Sequence, residues 1–134
     1  MAYNVGPNMI ISLVAGEDLS AKQYHFVRIS DAGTCINVTA DATNPVGVLQ
    51  NAPASGEAAQ VLIAGVTKLE CNAAIANAGS ELACNFTTSA SNAETGRAQA
   101  AVAGQHIAAR NLTASGAQGD IITAVVTFDG RIKL

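Results

Sequence analysis

The chain has 134 residues, 49% of them apolar and only 13% charged, with a formal net charge of −3. That length fits one domain with a core of its own, and the mild acidity argues against a nucleic-acid binder, which needs a basic face for phosphates. The charged fraction is about half the roughly 25% of an ordinary soluble domain, so the surface must be largely Ala, Ser, Thr, Asn and Gln. It is either the surface of a neutral monomer or one covered by copies of itself or by a larger assembly.

Residues 1–8, MAYNVGPN, lack periodicity and contain Gly6 and Pro7; they are expected to be an extended N-terminal arm, with Tyr3 and Val5 able to dock on a neighbour. Residues 9–134 are expected to form a single β domain of short strands between turn signals. Met9–Val14 is a first apolar run, and Tyr24–Ile29 is rich in β-formers. Asp31–Thr34 is a turn, Cys35–Val38 the returning strand, and Asp41–Pro45 a second loop. Val46–Leu49 is a short strand, and Asn51–Gly56 a turn. Gln60–Leu69 is the longest strand candidate, with Val61, Ile63, Val66 and Leu69 directed inward; Gly65 within it signals a bulge or a close backbone approach. The Ala-rich stretch Asn72–Ala78 reads as a turn or a single helical turn, followed by a strand over Glu81–Phe86 and a loop over Thr87–Gly96. Arg97–Val102 and His106–Asn111 are weak strands, Ile121–Phe128 is a clear apolar β run, and Arg131–Leu134 is a short tail.

An internal echo aligns residues 48–67 with 108–127 without a gap: Asn51 meets Asn111, Ala54-Ser55-Gly56 meets Ala114-Ser115-Gly116, and Ala64, Val66 and Thr67 meet Ala124, Val126 and Thr127. Each copy reads as strand, turn and long strand. The expected fold is all-β, a small compact barrel or sandwich. Val61 and Ile121 are expected in its core, and Gly56, Gly79, Gly96 and Gly116 in structural turns.

The catalytic motifs are missing. The sequence has no phosphate-binding Gly-rich loop, no dinucleotide fingerprint and no Gly-x-Ser-x-Gly elbow. His25 and His106 lack partners at metal-ligand spacing, and His25 reads as part of a sheet face. Three cysteines, Cys35, Cys71 and Cys84, without a Cys-x-x-Cys pair read as small buried residues rather than a disulfide framework or zinc site. With no Trp and five Tyr and Phe in all, a sugar-binding groove would lack its usual stacking platforms. No enzyme, cofactor, metal site or membrane span is expected. The lack of a leader pattern predicts synthesis in a reducing, bacterial cytoplasm.

The stretch Pro45-Val46-Gly47-Val48-Leu49-Gln50-Asn51-Ala52-Pro53-Ala54-Ser55-Gly56-Glu57, with Gln60-Val61 and Gly65-Val66 after it, resembles the capsid decoration, or cement, proteins of tailed bacteriophages. The Ala74-Ile75 to Gly79 turn, Thr95-Gly96-Arg97, and Gly119-Asp120-Ile121-Ile122 before the last strand are similar too, so the likeness runs from about Met9 onward. It implies a structural virion protein that binds the outer surface of the expanded capsid and cements adjacent major capsid subunits. Its partners would be the major capsid protein and itself, as a trimer first and a dimer second, without nucleic acid or membrane. Tyr3, Val5, Pro7, Ile132 and Leu134 are the residues expected at such an interface. The alternative is a receptor- or glycan-binding module displayed on a virion.

Overall fold

The computed structural model describes residues 8–38, 45–85, 95–126 and 132–134. Among these, nine strands and no helix form: β1 (Met9–Val14), β2 (Phe26–Ile29), β3 (Cys35–Asn37), β4 (Gly47–Leu49), β5 (Ala58–Glu70), β6 (Glu81–Cys84), β7 (Ala98–Ala100), β8 (Ala109–Asn111) and β9 (Ile121–Val126). They make one curled antiparallel sheet, a half-barrel, so the fold is all-β. The strand order is β3-β2-β4-β5-β9-β8-β6-β7, with β1 added on β5. The loops expected over Asp41–Pro45 and Thr87–Gly96 fall mostly, and Phe128 and Arg131 wholly, outside the described residues.

The thirteen-residue β5 organises the sheet. Its first half pairs with β1 and β4, and its second half, Gly65–Glu70, pairs with β9. The change of partner falls at Gly65, whose φ of +126° is a conformation that side chains resist. There the Asn8 side chain takes over from strand pairing: its amide donates to the Val66 carbonyl (3.2 Å) and its oxygen accepts the Val66 N–H (3.1 Å). A Cβ on Gly65 would lie 2.1 Å from that oxygen. The close approach expected at Gly65 is thus present, and Asn8, assigned by sequence to the arm, is anchored on the body.

One pairing plan is used twice. In the first unit β1 lies on the first half of β5, β4 pairs with β5, and β2 pairs with β3 and β4. In the second, the second half of β5 lies on β9, β8 pairs with β9, and β6 pairs with β7 and β8. The parallel bridge Ala15–Cys35 recurs as Cys71–Ala98. The loop bonds recur as well. Ala15 N–H donates to Glu57 O and Gly56 N–H to Ala15 O; Cys71 N–H donates to Asp120 O and Gly119 N–H to Cys71 O, all four at 2.8 Å. The counterpart of Gly56 is therefore Gly119, with φ of +86° and +89° respectively, where the ungapped sequence match had set Gly116. Gly116 has no left-handed φ, and its N–H is held by the Asp120 carboxylate at 2.9 Å. The loop is longer in the second unit, and an ungapped comparison slides past the true correspondence.

Period-two alternation explains the core. In β9, Ile122, Ala124 and Val126 are buried, while Ile121 is 50% exposed. This corrects the expectation for Ile121: the adjacent isoleucines take opposite faces, and Ile122 is the inward one. The first unit is buried on both faces. Val27, Leu49 and Val61 pack with Ala15, Leu19, Cys35 and Ala59. Phe26, Val48 and Leu62 face the other way, onto Leu69, Leu82 and Ile122 of the second unit. Ile122→Ala is expected to cost about 2–4 kcal/mol and Ile121→Ala under about 1 kcal/mol, read as midpoint shifts in denaturant unfolding. Equal shifts would contradict this register.

Candidate interaction surface

The joint between the two units is polar where the chain bends into β2. Tyr24 takes a φ of +65° there. Its counterpart in the second unit is Gly79, since Tyr24 N–H donates to Leu49 O as Gly79 N–H donates to Asn111 O, both at 2.7 Å. The strained tyrosine carries its neighbours into the joint. Phe26 N–H donates to Gly96 O (2.7 Å), and Glu70 N–H donates to Tyr24 O (3.0 Å). His25 is buried rather than set on a sheet face. Its Nδ1–H donates to the Thr95 carbonyl (3.2 Å), and its Nε2 is hydrogen-bonded to Glu70 Oε2 at 2.5 Å. The other Glu70 oxygen accepts from Arg97 Nη2 at 2.9 Å. Lys22 Nζ donates to the Thr95 carbonyl (3.1 Å) and hydroxyl (3.3 Å), and Asn37 donates to that hydroxyl (2.8 Å).

Burial dominates the electrostatics of this cluster. It pushes the Lys22 ammonium down from the ordinary lysine range and the His25 imidazolium below the ordinary histidine range, while Glu70 and the Thr95 carbonyl pull His25 back up. It raises all three thiols, Cys35 to about 11, so they remain unreactive thiols near neutrality. No set of three or more His, Cys, Asp and Glu side chains among the described residues is placed to hold a metal ion. The cluster ties Lys22–Phe26 to Glu70 and Thr95–Arg97, and holding these segments together is the chemistry its geometry performs.

Of the residues expected at an interface, Tyr3, Val5 and Pro7 lie outside the described residues. Ile132 and Leu134 are exposed and line an open cavity of about 480 Å³ with Glu81, Ile107 and Lys133. Backbone hydrogen bonds from Gly104 N–H to Lys133 O and from Lys133 N–H to Gln105 O fix this tail, as do Lys133–Glu81 (2.5 Å) and the bridge from His106 to Ile132. Gly56, Gly79 and Gly96 hold left-handed turns. Sequence reasoning missed an apolar strip on the first unit: Ile10 and Val14 of β1 and Ile29 of β2 are exposed. The signal for it was the composition of MIISLV, apolar at both parities in a strand with one face to bury.

This is an all-β fold carried by proteins of tailed-phage particles. The chain aligns with the N base of the head fibre gp8.5 of bacteriophage phi29, with a TM-score of 0.65 and 16% identity over 96% of this chain and 98% of that one. It aligns also with a chain of the capsid of Myoviridae phage XM1, with a TM-score of 0.70 and 16% identity over 96% of this chain and 89% of that one. At such identities the likeness is one of fold. No protein-family model matches the chain, and no curated protein sequence matches it.

Proposed function

We propose that the chain is a structural, non-catalytic virion protein, made in the bacterial host, that binds the outer surface of the expanded phage capsid and cements adjacent major capsid subunits. The observation that carries this reading is the fold, shared over nearly the whole chain with a phage head-fibre base and a phage capsid chain. The low charged fraction and the exposed apolar strip support it, because both suit a surface that other subunits cover. Self-association, first as a trimer, is part of the proposal, since repeated weak contacts across a lattice act together. A glycan-binding role finds no platform among the described residues: Phe26 is buried, and Lys68 lies over the Tyr24 ring at 5.8 Å. Expanded particles prepared without this chain are expected to release DNA at a lower temperature than particles carrying it. Identical release profiles would refute the cement role.

A further inference from the structure

Within the chain, Glu70, Cys84 and Gly96 are among the residues of the second unit on which the first unit is seated. Glu70 donates its N–H to the Tyr24 carbonyl, and Gly96 accepts the Phe26 N–H on its own carbonyl. Cys84 is buried beside Gly96, within the field of the Lys22 charge. The repeated pairing plan assigns each of them a counterpart in the first unit. Glu70 faces Ile121 across β5 and β9 as Val14 faces Ala58 across β1 and β5. Cys84 pairs with Ala98 as Ile29 pairs with Cys35. Beside Gly96 the Asn85 N–H donates to Arg97 O, as beside Gly33 the Ser30 N–H donates to Thr34 O, both at 2.8 Å. The two glycines share left-handed φ values of +88° and +81°.

All three counterparts lie at the surface. Val14 is 55% exposed and Ile29 42%. A Cβ on Gly96 would meet the Phe26 carbonyl at 2.6 Å, whereas one on Gly33 would meet nothing within 4 Å. Among the described residues β1 pairs with β5 alone. Because Ala15 makes the bond to Glu57, antiparallel alternation turns the backbone groups of Val14 away from β5. Val14 N–H and Gly33 C=O therefore present the donor and acceptor that Tyr24 and Phe26 engage in the second unit. Val14 and Ile29 beside them are apolar, Ser12 separates Val14 from Ile10 on the same face, and β1 contains no charged residue.

We propose that the strip formed by Val14, Ile29 and the Gly33 turn is the docking surface for an extended, uncharged segment of the shell protein, with a large apolar side chain seated as Phe26 is seated in the internal joint. The proposal rests on the capsid-binding reading and names the face that does the binding. Stacking of a second copy is disfavoured by charge. The second unit's counterpart of Tyr24–Phe26 is Gly79–Glu81, and Glu81 is paired with Lys133 at 2.5 Å and Arg110 at 3.6 Å. Seating that segment on Val14 and Ile29 would strip those charges of water against an apolar face.

Co-sedimentation of the full chain with purified expanded shells tests this. Val14→Asp and Ile29→Asp are each expected to weaken binding by about tenfold or more. Ile121→Asp, the same change at an equally exposed residue of the second unit, is expected to leave it unchanged. Val14→Ser and Ile29→Ser provide the comparison should either aspartate variant lower the unfolding midpoint. Undiminished binding by the strip variants, with wild type bound, overturns the docking surface and leaves the capsid-binding reading standing. Failure of wild type to bind overturns both. Dispersal of an oligomer of the chain alone by Val14→Asp, with shell binding intact, assigns the strip to a second copy and overturns the proposal.

Discussion

Replacing Phe26 with alanine is expected to lower stability by about 3–5 kcal/mol, the largest effect of any single apolar truncation among the described residues. Phe26 is fully buried and is the largest side chain in the cluster that spans both units, where it packs with Val48 and Leu62 against Leu69, Leu82 and Ile122. Its backbone is held on both sides, by Gly96 and by the pairing with Val48. The surrounding strands therefore cannot collapse into the space left behind, and a cavity that persists adds its own cost to the lost transfer energy. Val27→Ala removes a smaller side chain from the cluster under the first unit alone, and about 1–3 kcal/mol is expected there. Denaturant midpoints of the two variants check the order; a smaller loss for Phe26→Ala would show that the two units do not share a core at this residue.

The second large effect is expected at Glu70. Its carboxylate is shared between His25 and Arg97, and its exposure is only 20%. Glu70→Ala leaves the buried His25 ring without its carboxylate partner and the Arg97 guanidinium facing the Lys22 ammonium without a carboxylate between them. Removing one member of a buried ion pair costs about 3–5 kcal/mol, and the partial exposure of Glu70 brings the expectation to about 2–4 kcal/mol. A double-mutant cycle with His25→Ala isolates the pair, and a coupling of about 1 kcal/mol or more is expected. Additive losses would show that Glu70 acts through β5 alone rather than through the clasp.

Much of the strand plan was legible because hydrophobic alternation and turn residues are local signals. Met9–Val14 has the same bounds in sequence and structure, and the turn at Asp31–Thr34 and the strands at Cys35, Glu81 and Ile121 begin where the pattern placed them. Gly65 was legible for the same reason, since a glycine inside a β run marks a bulge or a close backbone approach. The choice between Ile121 and Ile122 was not. Two adjacent isoleucines carry the same local signal, and the register against β5 alone decides which one points inward.

The internal repeat shows the same division. Identities at Asn51 and Asn111 and at the Ala-Ser-Gly triplets made an echo visible, but side-chain identity and backbone role had drifted apart: Gly119, not Gly116, does what Gly56 does, and Tyr24 occupies the place of Gly79. Hydrogen-bond pairing preserves such a correspondence through loop insertions, and an ungapped comparison cannot. By itself, then, the sequence determined an all-β chain with its strands, its turns, its buried cysteines and a low charged fraction. Only the tertiary structure decided that His25, Glu70 and Arg97, separated along the chain, meet as one clasp. It also decided that Val14, Ile29 and Gly33 stay open at the surface while their counterparts Glu70, Cys84 and Gly96 are covered. The physical reason is that strand formation depends on neighbours along the chain, whereas burial of a face depends on which other face folds against it. The two units share a local pattern and differ in the surface packed against each.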